Sequence, residues 1–157
     1  MKKITYLASR RVQGWPGPKE LEHYFLAPPG QRWFFETEND SGSLRAEGVD
    51  GTEHLEANKG RIDIALQMWG NPDLGVLLSY SKWGGGYEQM YSSKGDLSRL
   101  REWVRSTHDT SLPVGLFIPF AEAWKAVKEF IETAGQLPKS IEWIANSDLP
   151  LNTFPDP

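Results

Sequence analysis

The sequence predicts an α+β fold: an antiparallel sheet of about five or six strands, a long C-terminal helix packed on one face, and a short N-terminal helix. Three observations lead there. Apolar and polar residues alternate from Arg61 to Met68, with Ile62, Ile64, Leu66 and Met68 on one side, and alternate again from Leu74 to Ser81. Gly70-Asn71-Pro72-Asp73 separates the two runs with turn residues. Phe120, Trp124, Val127, Ile131 and Ala134 then recur at helical spacing and form one apolar stripe. With 157 residues, 39% of them hydrophobic, the chain can bury one core, and 1–157 reads as a single domain.

The other elements follow in order. Ile4 to Ser9 is a short apolar strand. Pro18 to Leu26 is a short helix: Pro18 suits a first helical position, Leu21, Tyr24 and Phe25 share a face, and Pro28-Pro29 ends it. Arg32 to Glu38 has β character, with Trp33 and Phe35 on one side, and Asn39-Asp40-Ser41-Gly42 turns into a partner strand at Ser43 to Glu47. Tyr87 to Ser92 adds a strand to the meander, and Arg99 to Thr107 leans the same way. The helix runs from Pro119 to Ala134, with Gly135 in a left-handed cap position and Pro138 just beyond. Ser140 to Ile144 is the last strand.

Several kinds of chemistry are hard to place on this sequence. It has no cysteine, so thiol nucleophiles, thiolate metal sites and disulfides are out. His23, His54 and His108 stand apart, without metal-ligand spacing, and neither a metal nor a cofactor is expected. No G-x-S-x-G elbow is present, and Gly84-Gly85-Gly86 matches neither a phosphate loop nor a dinucleotide fingerprint. Glu36 and Glu38, two apart on an expected strand, are the one carboxylate pair that suits a hydrolase. The net charge of -4 argues against direct nucleic-acid binding. No apolar run approaches a membrane span or a signal-peptide core, and the expected location is the cytoplasm. From Glu36 to Asp63 eight acids face three bases, giving an acidic segment that is either a solvated loop or a surface for a basic partner.

One stretch resists a purely structural reading. In "SKWGGGYEQMYSSKGD", Trp83 and Tyr87 flank three glycines, where a plain hairpin needs one or two. Further on, "FAEAWKAVKEFIETAGQLPKSIEW" has an amphipathic helix reaching Phe130, then Gly135, Pro138 and a strand closing on Trp143. This order resembles the C-terminal signature of immunity proteins from bacterial polymorphic toxin systems, and more narrowly of the family found beside deaminase toxins. "YSSKGD" at Tyr91 to Asp96 is similar to that family's Tyr-Ser-x-Gly element, and the hairpin from Ile62 to Tyr80 fits as well. The motif residues read as fold-holding, so the resemblance implies a fold and a role: binding a cognate toxin domain in the producing cell and covering its active site. The residues expected to touch such a partner come from exposure and composition instead. Trp83 is an anchor at an adaptable hairpin tip, Tyr87 and Tyr91 complete an aromatic patch, Glu88 is its acid, and Glu53 and Glu56 stand for the acidic segment. The alternatives are a general protein-interaction module without a toxin partner and, third, a carboxylate-dependent hydrolase.

Overall fold

The computed structural model describes residues 1–7, 10–26 and 40–155. The strand expected at Arg32 to Glu38, the Glu36/Glu38 pair and the Pro28-Pro29 stop lie outside the described residues. The described elements are β1 (Lys2–Leu7), β2 (Arg10–Gln13), α1 (Pro18–Phe25), β3 (Ser41–Glu47), β4 (Asp63–Asn71), β5 (Gly75–Gly84), β6 (Tyr87–Ser93), β7 (Trp103–Arg105), β8 (Ser111–Pro113), β9 (Phe117–Ile118), α2 (Phe120–Glu132) and β10 (Trp143–Ala145).

The architecture is α+β with a large antiparallel sheet, but the sheet is wider than five or six strands. Eight strands join it in the order β10-β6-β5-β4-β3-β1-β2, with β9 paired to β5 beside β6, and β7 and β8 form a separate ribbon. The expected meander is present as β3 to β6. Two of the elements absent from the expectation, β2 and β9, are four and two residues long, too short to show a period of their own. The segment expected as a strand from Arg99 to Thr107 is mostly something else. Asp96 accepts a hydrogen bond from the Ser98 N–H and opens a single 3-10 turn at Leu97–Arg99, leaving only Trp103–Arg105 extended.

Both helices cover one face of the sheet. Ile64, Leu66, Met68, Val76, Leu78 and Tyr80 supply that face, and Leu21, Phe25, Trp124, Val127 and Phe130 close over it. α2 has 13 residues and is followed by β10, so it is neither especially long nor the end of the chain. Its buried stripe is Ala123, Trp124, Ala126, Val127 and Phe130, while Phe120 and Ile131 sit half-buried at the margins. The opposite face carries a satellite cluster at one end, where Leu77 and Trp69 pack with Leu100, Leu112, Leu116 and Phe117 from the ribbon segment.

The end of α2 is the tightest joint. Gly135 N–H donates to the Phe130 carbonyl at 2.8 Å and Ala134 N–H to that of Ile131 at 3.4 Å, the paired bonds of a Schellman cap. The first left-handed residue is therefore Ala134, at φ 55°, and Gly135 follows at φ 95°. Glycine suits the second position because of that φ, and a methyl there would stand 2.1 Å from Ile64 Cδ1, so the Ile64 side chain would have to move. Tyr80 O–H donates to the Gly135 carbonyl at 3.2 Å. Burial, followed by the charges of Asp50 and Tyr91, pushes that phenol up to about 12. Trp143 Nε1–H donates to the Pro138 carbonyl at 2.8 Å, and its ring meets the Tyr80 edge at 6.4 Å.

Two stability measurements check this packing. Trp124 is 8% exposed and stacks 5.2 Å from Phe25, so Trp124→Ala is expected to cost about 3–5 kcal/mol in denaturant unfolding. A midpoint equal to that of the wild type would show that the indole does not hold the helix to the sheet. Ala134 is exposed and strained, so Ala134→Gly should stabilise the fold by about 0.5–1 kcal/mol. A loss of stability would contradict the cap geometry.

Candidate functional site

The hairpin joining β5 to β6 closes with Gly84 opposite Tyr87, which leaves a two-residue turn of Gly85 and Gly86. Both have positive φ, 55° and 90°, as a type I′ turn demands. That accounts for two glycines. The third, Gly84, is needed because β5 crosses the chain entering β4: a methyl at Gly84 would lie 2.0 Å from the Arg61 carbonyl oxygen. Gly85 likewise has the Ile62 side chain 2.6 Å from where its own methyl would be. The run of glycines thus seats a tight turn against the residues leading into β4, where the sequence suggested a loose, adaptable tip.

Strand register decides which side chains share a surface. Trp83 stands opposite both Asp63 and Glu88, and Ser81 opposite both Ala65 and Met90. These residues point away from the helices. Trp83 is 40% and Met90 51% exposed, diagonal neighbours with the exposed Glu88 between them. Ala65, Ser79 and Ser81 keep the sheet floor low beside them. Tyr87 and Tyr91 have the opposite parity and face the helix side. Tyr87 lies under the Lys82 ammonium, 4.2 Å from its ring centre, and half-buried Tyr91 packs on the main core. The expected patch of Trp83, Tyr87 and Tyr91 is therefore split between the two faces of the sheet. Trp83 and Glu88 stay together and are joined by Met90, which aromatic character alone does not single out. A signal for it exists in the sequence: a Gly85-Gly86 turn sets the register that brings Glu88 and Met90 alongside Trp83.

The described acids from Glu47 to Asp63 gather at the same end of the sheet, and they are partnered. Lys82 reaches Asp50 at 2.8 Å, Lys59 reaches Glu56 at 3.1 Å, and Glu53 pairs with the Met1 ammonium. Asp63, 5% exposed, accepts from the Gly48 N–H at 3.0 Å and takes the Arg61 fork at 2.9 and 3.0 Å. The bond to Asp63 raises the Arg61 guanidinium above its ordinary value, and Glu47 adds to this from 3.7 Å. Asp40 accepts from the Thr107 N–H and hydroxyl. Every described acid from Asp40 to Asp63 is thus engaged, and Glu88 is the carboxylate at this end with no charged partner among the described residues. Glu53 and Glu56 project from the 48–60 loop beside the hairpin, and Glu53 shares a wide depression of about 730 Å³ with Asp50, His54 and Thr133.

Among the described residues, no group of three or more His, Cys, Asp or Glu side chains is placed to hold a metal ion. No helix of the described residues is long and apolar enough to cross a membrane. Trp83 and Met90 thus lie exposed beside Glu88, which has no charged partner among the described residues, on the paired part of the β5–β6 hairpin.

Comparison with known proteins gives this surface a context. No curated protein and no solved structure matches the chain. Residues 40–145 match the family model of Immunity protein Imm1, about two-thirds of the chain. The match begins at the start of β3, upstream of the motifs that carried the resemblance, and ends with β10. It takes in the whole β3–β6 meander, the ribbon and α2, and leaves β1, β2 and α1 outside. The chain belongs to the Imm1 immunity protein family.

Proposed function

We propose that this protein binds and neutralises a cognate toxin domain in the cytoplasm of the producing cell, using the surface around Trp83, Glu88 and Met90. Membership of the Imm1 family carries this reading, because an immunity protein holds a toxin inactive and needs no chemistry of its own to do so. The exposed pair of Trp83 and Met90 supplies apolar anchors and Glu88 a charge that awaits a basic partner. The toxin we favour is a deaminase, following the resemblance of the helix-Gly-Pro-strand-Trp signature. Such an enzyme activates water on zinc in a pocket that receives an extruded or single-stranded base, and its nucleic-acid channel is basic. A small acidic protein seated over that channel excludes the substrate without touching the metal.

The test is co-expression with the product of the neighbouring gene, where the toxin is expected, followed by titration of the purified partner acting on a single-stranded substrate. A stoichiometric complex with loss of activity is expected. A complex whose toxin shows no deamination when released would refute the deaminase reading alone. Failure to bind would refute neutralisation by contact.

Two further outcomes probe the surface. Trp83→Ala should fold, losing about 1–2 kcal/mol because more than half of the indole is covered, and should weaken toxin binding at least tenfold. Unchanged affinity would move the site away from the hairpin. Association should slow as salt rises while dissociation changes less, because the acidic end of the sheet steers a basic partner. An on-rate independent of salt would exclude steering.

A further inference from the structure

Among the described residues, the sheet edge beside the hairpin is open. β10 is the edge strand, but it pairs only with Tyr91, Ser92 and Ser93 of β6. Tyr87 to Met90 are all exposed, and no strand of the described residues pairs with them on that side. Lys94 N–H donates to the Glu142 carbonyl across the β10 side at 3.1 Å, and backbone groups along an antiparallel strand alternate in direction. Ser92, Met90 and Glu88 therefore aim their backbone outward, while Gln89 and Tyr87 face β5. The Glu88 and Met90 N–H groups and the Glu88 carbonyl form a short row in line with β10. Natural sheets protect such edges with charged side chains, lysine above all, or with proline. Tyr87-Glu88-Gln89-Met90 has neither lysine nor proline, and its one charge is Glu88.

We infer that this open edge receives an extended strand of the toxin, which continues the sheet in line with β10. The inference rests on the proposed toxin-binding role and names its geometry. A second copy of this chain does not fit the slot. Antiparallel pairing of two β6 edges about Gln89 sets Tyr87 opposite the other copy's Tyr91, where Ala145 already sits. Pairing about Glu88 sets the two carboxylates against each other, an unfavourable cross-strand pair. A foreign strand avoids both conflicts. Directly opposed residues point to the same face, so the matching strand carries lysine or arginine against Glu88 and an apolar residue against Met90. That face is the one that presents Trp83. Backbone bonds then supply affinity, and these two cross-strand pairs supply selectivity.

Hydrogen–deuterium exchange with residue resolution, on the free protein and on its complex with the neighbouring gene's product, reads this directly. The Glu88 and Met90 amides should exchange quickly when free and slow at least tenfold in the complex, while Tyr87 and Gln89 are already slow. Met90→Pro removes an outward donor without breaking the ladder to β5. It should keep the circular dichroism of the wild type and weaken the complex at least tenfold. Should that variant unfold, the exchange result decides alone. A complex that forms while Glu88 and Met90 still exchange quickly overturns the added strand and leaves toxin binding standing. No complex at all overturns both.

Discussion

The fold turns on the joint where α2 ends. Phe130 is fully buried, with Trp15 at 4.9 Å and Tyr80 at 6.2 Å between ring centres. One turn later the backbone at Gly135 lies against Ile64 and accepts the Tyr80 hydroxyl proton. This joint connects the segment after β2, the two central strands, the helix and, through Trp143, the edge strand. Phe130, Gly135, Pro138 and Trp143, the residues that prompted the family resemblance, are all in it or bonded to it. The pattern is therefore a record of packing. Side chains that meet in this way cannot change one at a time, because each leaves a cavity or a clash for the others.

A second joint sits where β6 hands over to β9. Both pair with β5, and the Ser93 hydroxyl fills the gap: it accepts from the Leu78 N–H at 3.0 Å and donates to the Leu116 carbonyl at 2.6 Å. A buried backbone amide with no ladder partner is costly, so a small hydroxyl-bearing residue is needed there. Ser93, in the Tyr91-Ser92-Ser93-Lys94-Gly95 stretch, thus has a physical role, allowing the sheet to change partners partway along its longest strand.

What could be read in the sequence follows from length and period. β4, β5 and α2 repeat their pattern long enough to fix their type and their buried side, and α1 is framed by its proline. β2, β7, β8, β9 and β10 span two to four residues, and their conformation is set by the strand beside them rather than by their own composition. The tail end of α2 shows another limit: Gly135 is left-handed as glycine suggested, but Ala134 before it is left-handed too, and its composition gave no sign of that. At the candidate surface, Trp83 and Glu88 were within reach of the sequence. Assembling a patch by aromatic character alone ignores that neighbours along a strand alternate sides, and it draws in Tyr87 and Tyr91 at the expense of Met90.

The Gly85-Gly86 turn has a consequence for how such a protein diversifies. Because it pins the register of β5 and β6, outward and inward positions interleave one by one along the same two strands. Glu88 and Met90 can be exchanged for other side chains while Tyr80, Leu78 and Tyr91 continue to hold the core, and no loop has to be rebuilt. On the surface proposed to meet the toxin, single substitutions can then alter recognition, each nearly neutral for folding. The hairpin acts as a fixed printing block with replaceable type, and related chains can drift into mutually exclusive pairings without passing through an unfolded ancestor.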